Sequence, residues 1–235
     1  DARFMIVGTP SGISLAPEGG AHQSIGTPLI GISQPGLLSF EPAFADELAL
    51  IMNYGFNYLQ DEAGGSIYLR LTTRSIDQPM REIDNELKNN IISGGYWLKK
   101  PGSNPEVIIV YQGAVASEAI ESTALLGEKF KDSGVLSITS SDNLFHNWKN
   151  KTLSFKNKTT QSHIEKLLEF IPRDTRIITV VDGHPMTLSW IGSVYGHKTI
   201  PLGVDSFGQT GNIKDLFTEF RIDTSNICNL GFNYS

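Results

Sequence analysis

Only one of the 235 residues is a cysteine, Cys228, so the chain has no internal disulfide framework and no second thiol for a cysteine-based metal site. A reducing compartment, the cytoplasm, is the expectation. No stretch approaches the ~18–20 consecutive apolar residues of a membrane span, and the amino terminus lacks a charged-then-apolar signal. Positive residues are scattered, with Lys99–Lys100 and Lys149–Lys151 as the tight groups, and the formal net charge is -6. Without a basic stripe to neutralise a phosphate backbone, nucleic acid is not an expected partner. Internal repeats are absent, as is any nucleophile-elbow pattern for a Ser-His-acid mechanism. His146, His163 and His197 have no partners at metal-ligand spacing, so no metal site is expected on this chain.

What is present is a globular composition, 40% hydrophobic and 19% charged. At roughly 100–200 residues per domain, the length suits one large domain or two small ones. The chain opens with Asp1-Ala2-Arg3 and no initiator Met, and a strand-like run, Phe4–Val7, follows at once, so the left edge reads as cut. Asn150, Asn157 and Asn233 each begin a glycosylation triplet, a pattern common by chance and without meaning unless the chain is exported.

Phe4–Val7 leads into a loop rich in turn residues, Gly8 to His22, whose glycines permit close approach of a ligand or neighbouring chain. Leu29–Ile32 reads as a second strand. Glu41-Pro42 announces a helix that is apolar on nearly all sides from Phe44 to Leu59, the pattern of a buried helix. Ser66–Leu71 returns to strand. From Ile76 to Asn104 the pattern turns polar and aperiodic, an interdomain connection with a boundary near residue 88 and a short strand at Gly95–Leu98. Beyond it, strands at Val107–Tyr111, Gly134–Thr139, Arg176–Val181 and Lys198–Val204 alternate with helices at Ser117–Phe130, Asp142–Trp148, Ser162–Ile171, Pro185–Tyr195 and Ile213–Phe220. Such alternation predicts α/β architecture, parallel sheets with helices on both faces. Ligands of such sheets sit beyond the carboxyl ends of the strands.

The segment Gly12-Ile-Ser-Leu-Ala-Pro-Glu18-Gly-Gly-Ala-His22-Gln23 resembles the loop of transketolases in which an acidic residue stands four positions before a His-Gln pair. The resemblance runs on through Ser39 to Met52 and returns in Leu202-Gly-Val-Asp-Ser-Phe-Gly-Gln-Thr-Gly211 and Phe217 to Ile227. It is to the transketolase and homodimeric pyruvate dehydrogenase superfamily, and it covers nearly the whole chain in order. It implies that residues 1–87 are the second half of a pyrimidine-binding domain and 88–235 a transketolase-type carboxy-terminal domain. The cofactor implied is thiamine diphosphate with Mg²⁺, whose main binding segments this chain lacks. The partners implied are a second copy, in a homodimer with its active site in the subunit-interface cleft, and the lipoyl domain of a dihydrolipoyl acyltransferase for a dehydrogenase component.

By the same resemblance Glu18 and His22 are the catalytic candidates. A ketone oxygen that gains charge must be stabilised or protonated and a carbinol proton removed, tasks that imidazole, titrating near neutral pH, can perform. Glu18 would hold that imidazole or bond a substrate hydroxyl. Read without the resemblance, both are solvated loop residues. Arg74 falls where transketolases grip a sugar phosphate, a task suited to guanidinium, or else pairs with a nearby acid. Pro10 stands where transketolases place a phosphate-binding His, and Ser11-Gly12 resembles the Ser-Gly of the dehydrogenase loop. The substrate expected is therefore a 2-oxo acid, pyruvate, with a ketol transfer between sugar phosphates as the alternative and a non-catalytic dimerisation or docking module as the other. Asp182 or His184 is expected to cap the helix that follows or to support a subunit contact. Trp97, Trp148 and Trp190 are expected to be packing residues.

Overall fold

A computed structural model describes residues 2–9, 11–154 and 160–233, so the readings placed on Pro10, on the Asn157 triplet and on the end of the Asn233 triplet lie outside the described residues. Two sheets organise the chain. The first contains β1 (Met5–Gly8), β2 (Leu37–Phe40) and β3 (Ser66–Arg70), all parallel, in the order β1-β3-β2. The second contains β4 (Gly95–Lys99), β5 (Val107–Gln112), β6 (Gly134–Ile138), β7 (Arg176–Val181) and β8 (Thr199–Leu202), in the order β4-β6-β5-β7-β8. Its strands are parallel except β4, which pairs antiparallel with β6 as an edge strand. The fold is α/β, as the alternation predicts.

The apolar run Leu29–Ile32, expected to be a strand, lies instead in helix α1 (Thr27–Ser33). Four apolar residues in a row do not separate strand from buried helix. Here Pro28 in the first turn and the Thr27 hydroxyl, which donates to the Ser24 carbonyl at 2.9 Å, begin a helix. Gly31 lets α1 lie against β2: a Cβ at that position would stand 1.9 Å from Ser39 Oγ. The second strand along the chain is β2, Leu37–Phe40.

Helix α2 (Ala45–Tyr58) covers the first sheet, but it is not buried on all sides as its composition suggests. Glu47, Ile51 and Gly55 face inward while Phe56 is 56% exposed, because one three-stranded sheet covers one stripe of a helix. Within the supposedly aperiodic connection stands α3 (Asn85–Ser93). Asp84 caps it by accepting the Leu87 N–H at 2.7 Å, and Gly94 ends it at φ 112. The remaining helices are α4 (Ala116–Lys129), α5 (Ser141–Leu153), α6 (His163–Leu168), α7 (Met186–Ser189), α8 (Ile213–Glu219) and α9 (Thr224–Asn233). A 3-10 turn, Trp190–Val194, continues α7. The unforeseen α9 is capped by Asp223, whose Oδ1 accepts the N–H groups of Ser225 and Asn226, and it packs on α4 with Gly231 against Leu126.

Both faces of the second sheet are filled. Ile109, Tyr111, Val135 and Ile178 join the residues of α4, α8 and α9 on one side. Ile108, Val110, Leu136 and Ile177 join those of α5, α6 and α7 on the other. This two-sided burial explains why β5 is apolar from Val107 to Tyr111 and why β7 after Arg176 is interrupted only by Thr179. A third cluster, around Phe40, Ile51, Ile67 and Leu69, fills the space between the first sheet and α2.

Candidate functional site

The segment after β1 does not hang free. Ile13 and Ala16 belong to the core on one face of the second sheet, so the loop is wedged between the two sheets. Its first turn, the 3-10 segment Gly12–Leu15, is held by the carboxylate of Asp182, which follows β7: the N–H groups of Ile13 and Ser14 donate to it at 2.8 and 3.0 Å. Gly12 has φ 56, and a Cβ there would stand 2.1 Å from Asp182 Oδ1, so both the left-handed backbone and the close approach require glycine.

The second turn, Gly20–His22, follows Gly19 at φ 62 and leans on the segment that runs on from β8. Gly20 donates its N–H to the Gly208 carbonyl at 3.1 Å, the Gln23 amide donates to the Gln209 carbonyl at 3.0 Å, and Gly211 donates to the Ala16 carbonyl at 3.1 Å. A Cβ on Gly19 would lie 2.1 Å from Thr210 Oγ1. The structure thus brings together two stretches, 12–23 and 202–211, that the sequence presents as separate motifs.

Glu18 and His22 both lie exposed on this loop. Neither the carboxylate nor the imidazole has a hydrogen-bond partner among the described residues. Two buried atoms of the same loop, Ser11 Oγ and Gln23 Oε1, also lack one. A fixed backbone carrying free polar groups is suited to meet a ligand or another chain.

Beneath the loop the carboxyl ends of four strands converge on a buried polar cluster. Arg70, at the end of β3, donates to Glu41 Oε1 at 2.5 Å, to the Asp182 carbonyl at 2.7 Å, to Thr27 Oγ1 at 3.1 Å and to the Ser24 carbonyl at 3.2 Å. Gln112, at the end of β5, donates to Glu41 Oε2 at 2.9 Å. Burial pushes the Glu41 and Asp182 carboxyls above their ordinary values, and the Arg70 charge opposes that rise in both. The sequence assigns Glu41 to a helix start and Asp182 to a helix cap or subunit contact and gives Arg70 no role; the cluster that joins the three is visible only in the fold. A charged residue ending an apolar strand was their available signal.

Arg74 is engaged within the chain. Its guanidinium makes a two-pronged ion pair with Glu118 on α4, at 2.7 and 2.5 Å, donates to the Ala114 carbonyl at 3.0 Å and lies 4.8 Å over the Phe217 ring. With Phe217, Lys214 and Asp223 it lines a cavity of about 260 Å³.

His184 Nδ1 accepts the Met186 N–H at 3.2 Å, at the start of α7, while Asp182 caps the distant first turn of the loop rather than the helix that follows it. Trp148 and Trp190 stack at 5.6 Å, and Trp97 Nε1 donates to the Leu167 carbonyl at 2.9 Å. Cys228 is buried. Among the described residues no group of three or more His, Cys, Asp and Glu side chains is placed to hold a metal ion. No helix among them is long and apolar enough to cross a membrane.

Comparison with known proteins places this geometry. A family model described as the transketolase-like TK C-terminal domain matches residues 94–223. The chain is 26% identical over 231 residues to the pyruvate dehydrogenase E1 component of Buchnera aphidicola subsp. Baizongia pistaciae, covering 95% of this chain and 26% of that protein. It is 27% identical over 139 residues to the same component of Escherichia coli, covering 58% of this chain and 16% of that protein. The chain therefore spans about a quarter, or less, of the length of these curated relatives. Among solved structures, the transketolase of Campylobacter jejuni superposes with a TM-score of 0.70 at 21% identity, over 96% of this chain and 30% of that one. That likeness shows the fold.

Proposed function

The chain belongs to the family of transketolase-like carboxy-terminal domains, and from that premise we propose that it is the carboxy-terminal portion of a thiamine-diphosphate-dependent 2-oxo acid dehydrogenase component. The substrate is pyruvate and the acceptor a lipoyl arm. The observation that carries this reading is the exposed Glu18 and His22 pair on a loop fixed from beneath by Asp182 and from the side by residues 208–211.

The residues present suit one end of the cofactor. Exposed, unpartnered Glu18 and His22 fit the side on which a substrate reacts, and the groups for the diphosphate and its metal would, on the family resemblance, be supplied by segments outside this chain. Bound thiamine diphosphate supplies the carbon nucleophile and the electron sink that decarboxylation of a 2-oxo acid requires. His22 gives a proton to the substrate's carbonyl oxygen or hydrogen-bonds it as charge gathers there, and takes a proton back when the acyl group leaves. Glu18, which makes no hydrogen bond to His22 in the free chain, would hold that imidazole or bond a hydroxyl once the site is filled. The loop's fixed backbone spares the cost of ordering these groups at the moment of reaction.

The named function of the curated relatives supports pyruvate over a sugar phosphate. So does Arg74, whose charge is already balanced by the two-pronged ion pair with Glu118 and which also donates to the Ala114 carbonyl, so that a phosphate would have to compete with an internal carboxylate for it. The assembled enzyme is a homodimer that works in the cytoplasm and meets the lipoyl domain of a dihydrolipoyl acyltransferase.

The test is His22→Ala in the assembled enzyme, assayed with pyruvate and a lipoyl acceptor. A fall of about 10²–10⁴-fold in turnover is expected for a lost acid–base group. Unchanged turnover removes His22 from the reaction.

A further inference from the structure

We propose that Asp182 is a positioning residue for the loop that carries Glu18 and His22, an inference that rests on the reading of that loop as the reactive face. Ser11 precedes the first turn of the loop but makes no side-chain cap to it. The carboxylate that does cap it comes from a residue 169 positions later than Ile13, fully buried, and provides no cap to the helix beside it. The left-handed backbone of Gly12 is what admits that carboxylate.

The grip extends past the first turn. Arg70 donates one hydrogen bond to the Asp182 carbonyl and another to the Ser24 carbonyl, two residues beyond His22. His184 donates its N–H to the Ile25 carbonyl at 2.8 Å. The stretch is therefore anchored at residues 13 and 14 by the Asp182 side chain and at 24 and 25 by the groups next to Asp182 in space and in sequence. Glu18 and His22 stand between the two anchors. A buried acid that only stabilised the fold would need no such placement on either side of two exposed polar residues.

Hydrogen exchange and kinetics on the assembled holoenzyme, bearing thiamine diphosphate and Mg²⁺, test the assignment together. Asp182→Asn keeps the size of the side chain but sets an amide against two N–H donors. The Ile13 and Ser14 amides should then exchange at least about tenfold faster, the scale of a lost hydrogen bond to a charged group, while amides of β5 and β7 keep their protection. Turnover of pyruvate should fall by about 10–100-fold with KM little changed, since loss of alignment acts on the chemical step. In a His22→Ala background the same replacement should cost nothing more. Unchanged exchange at Ile13 and Ser14, or losses that multiply in the double variant, overturns the proposal. If His22→Ala alone leaves turnover intact, the reactive-loop reading falls, whereas the exchange comparison still decides whether Asp182 holds the loop. Should Asp182→Asn not fold, Gly12→Ala displaces the same carboxylate from the other side and is read by the same two measurements.

Discussion

Arg70 and Glu41 face each other at 2.5 Å as a buried ion pair, joining the end of β3 to the end of β2 with 2% and 4% of their side chains exposed. Removing one partner of such a pair strands the other charge in a medium that cannot solvate it. Arg70→Met is expected to cost about 3–5 kcal/mol of stability, and Arg70→Met with Glu41→Gln markedly less. Urea denaturation of the single and double variants checks this, and equal costs would show that Glu41 does not depend on Arg70.

His163 Nε2 lies 2.7 Å from the Gly95 carbonyl, and burial pulls its pKa below the ordinary histidine value. A base whose folded-state pKa is depressed binds more protons when unfolded. Its contribution is therefore fully present above about pH 6.5 and is lost as pH falls through the folded value. Thermal denaturation between pH 8 and pH 5 should show stability falling toward the acid side, and His163→Gln should flatten part of that slope. The buried His197, whose pKa is also lowered by burial, carries a further part.

Two glycines separate backbone strain from crowding. Gly36 has φ 78 and open space where a side chain would stand, so Gly36→Ala should cost about 1–2 kcal/mol, the left-handed penalty alone. Gly12→Ala should cost more, since its Cβ also meets the Asp182 carboxylate. Equal costs in chemical denaturation would mean that the contact relaxes freely.

Arg74 distinguishes the substrate classes. In the assembled enzyme Arg74→Ala should leave pyruvate turnover within a few-fold of the parent, because pyruvate has no phosphate to hold. Activity found only with a ketose phosphate and an aldose phosphate, and weakened by Arg74→Ala, would replace the dehydrogenase reading with transketolase while leaving the family unchanged.

Calorimetry of this chain alone with thiamine diphosphate and Mg²⁺ is expected to show weak binding or none, because a site lacking its diphosphate and metal contacts cannot offset the cost of association. Tight binding at one cofactor per chain would refute the division of labour proposed here.

The second sheet was legible because its central strands are buried on both faces, and Val107–Tyr111 and Arg176–Val181 are short β-branched runs that alternate with helical segments. The first sheet was less so. Leu29–Ile32 and Leu37–Phe40 are both short apolar runs, and what makes one helix and the other strand is the fit of Gly31 against Ser39, a tertiary contact with no local signature. Helix α3 had its signals, Asp84 before and Gly94 after, but its polar face hid the period. The loop motif pointed to Glu18 and His22, whereas Asp182 looked like a helix cap to its neighbours in sequence. Only the fold reveals that its partners are Ile13 and Ser14.

That separation governs the order in which the chain matures. Domains fold largely as units during synthesis, and contacts between distant residues form only after the intervening chain has been made. The loop leaves the ribosome among the first residues of this stretch, yet its long-range hydrogen bonds wait for Asp182 and then for the carbonyls of Gly208 and Gln209. His22 therefore stays on a segment without its long-range anchors until synthesis has passed Asp182.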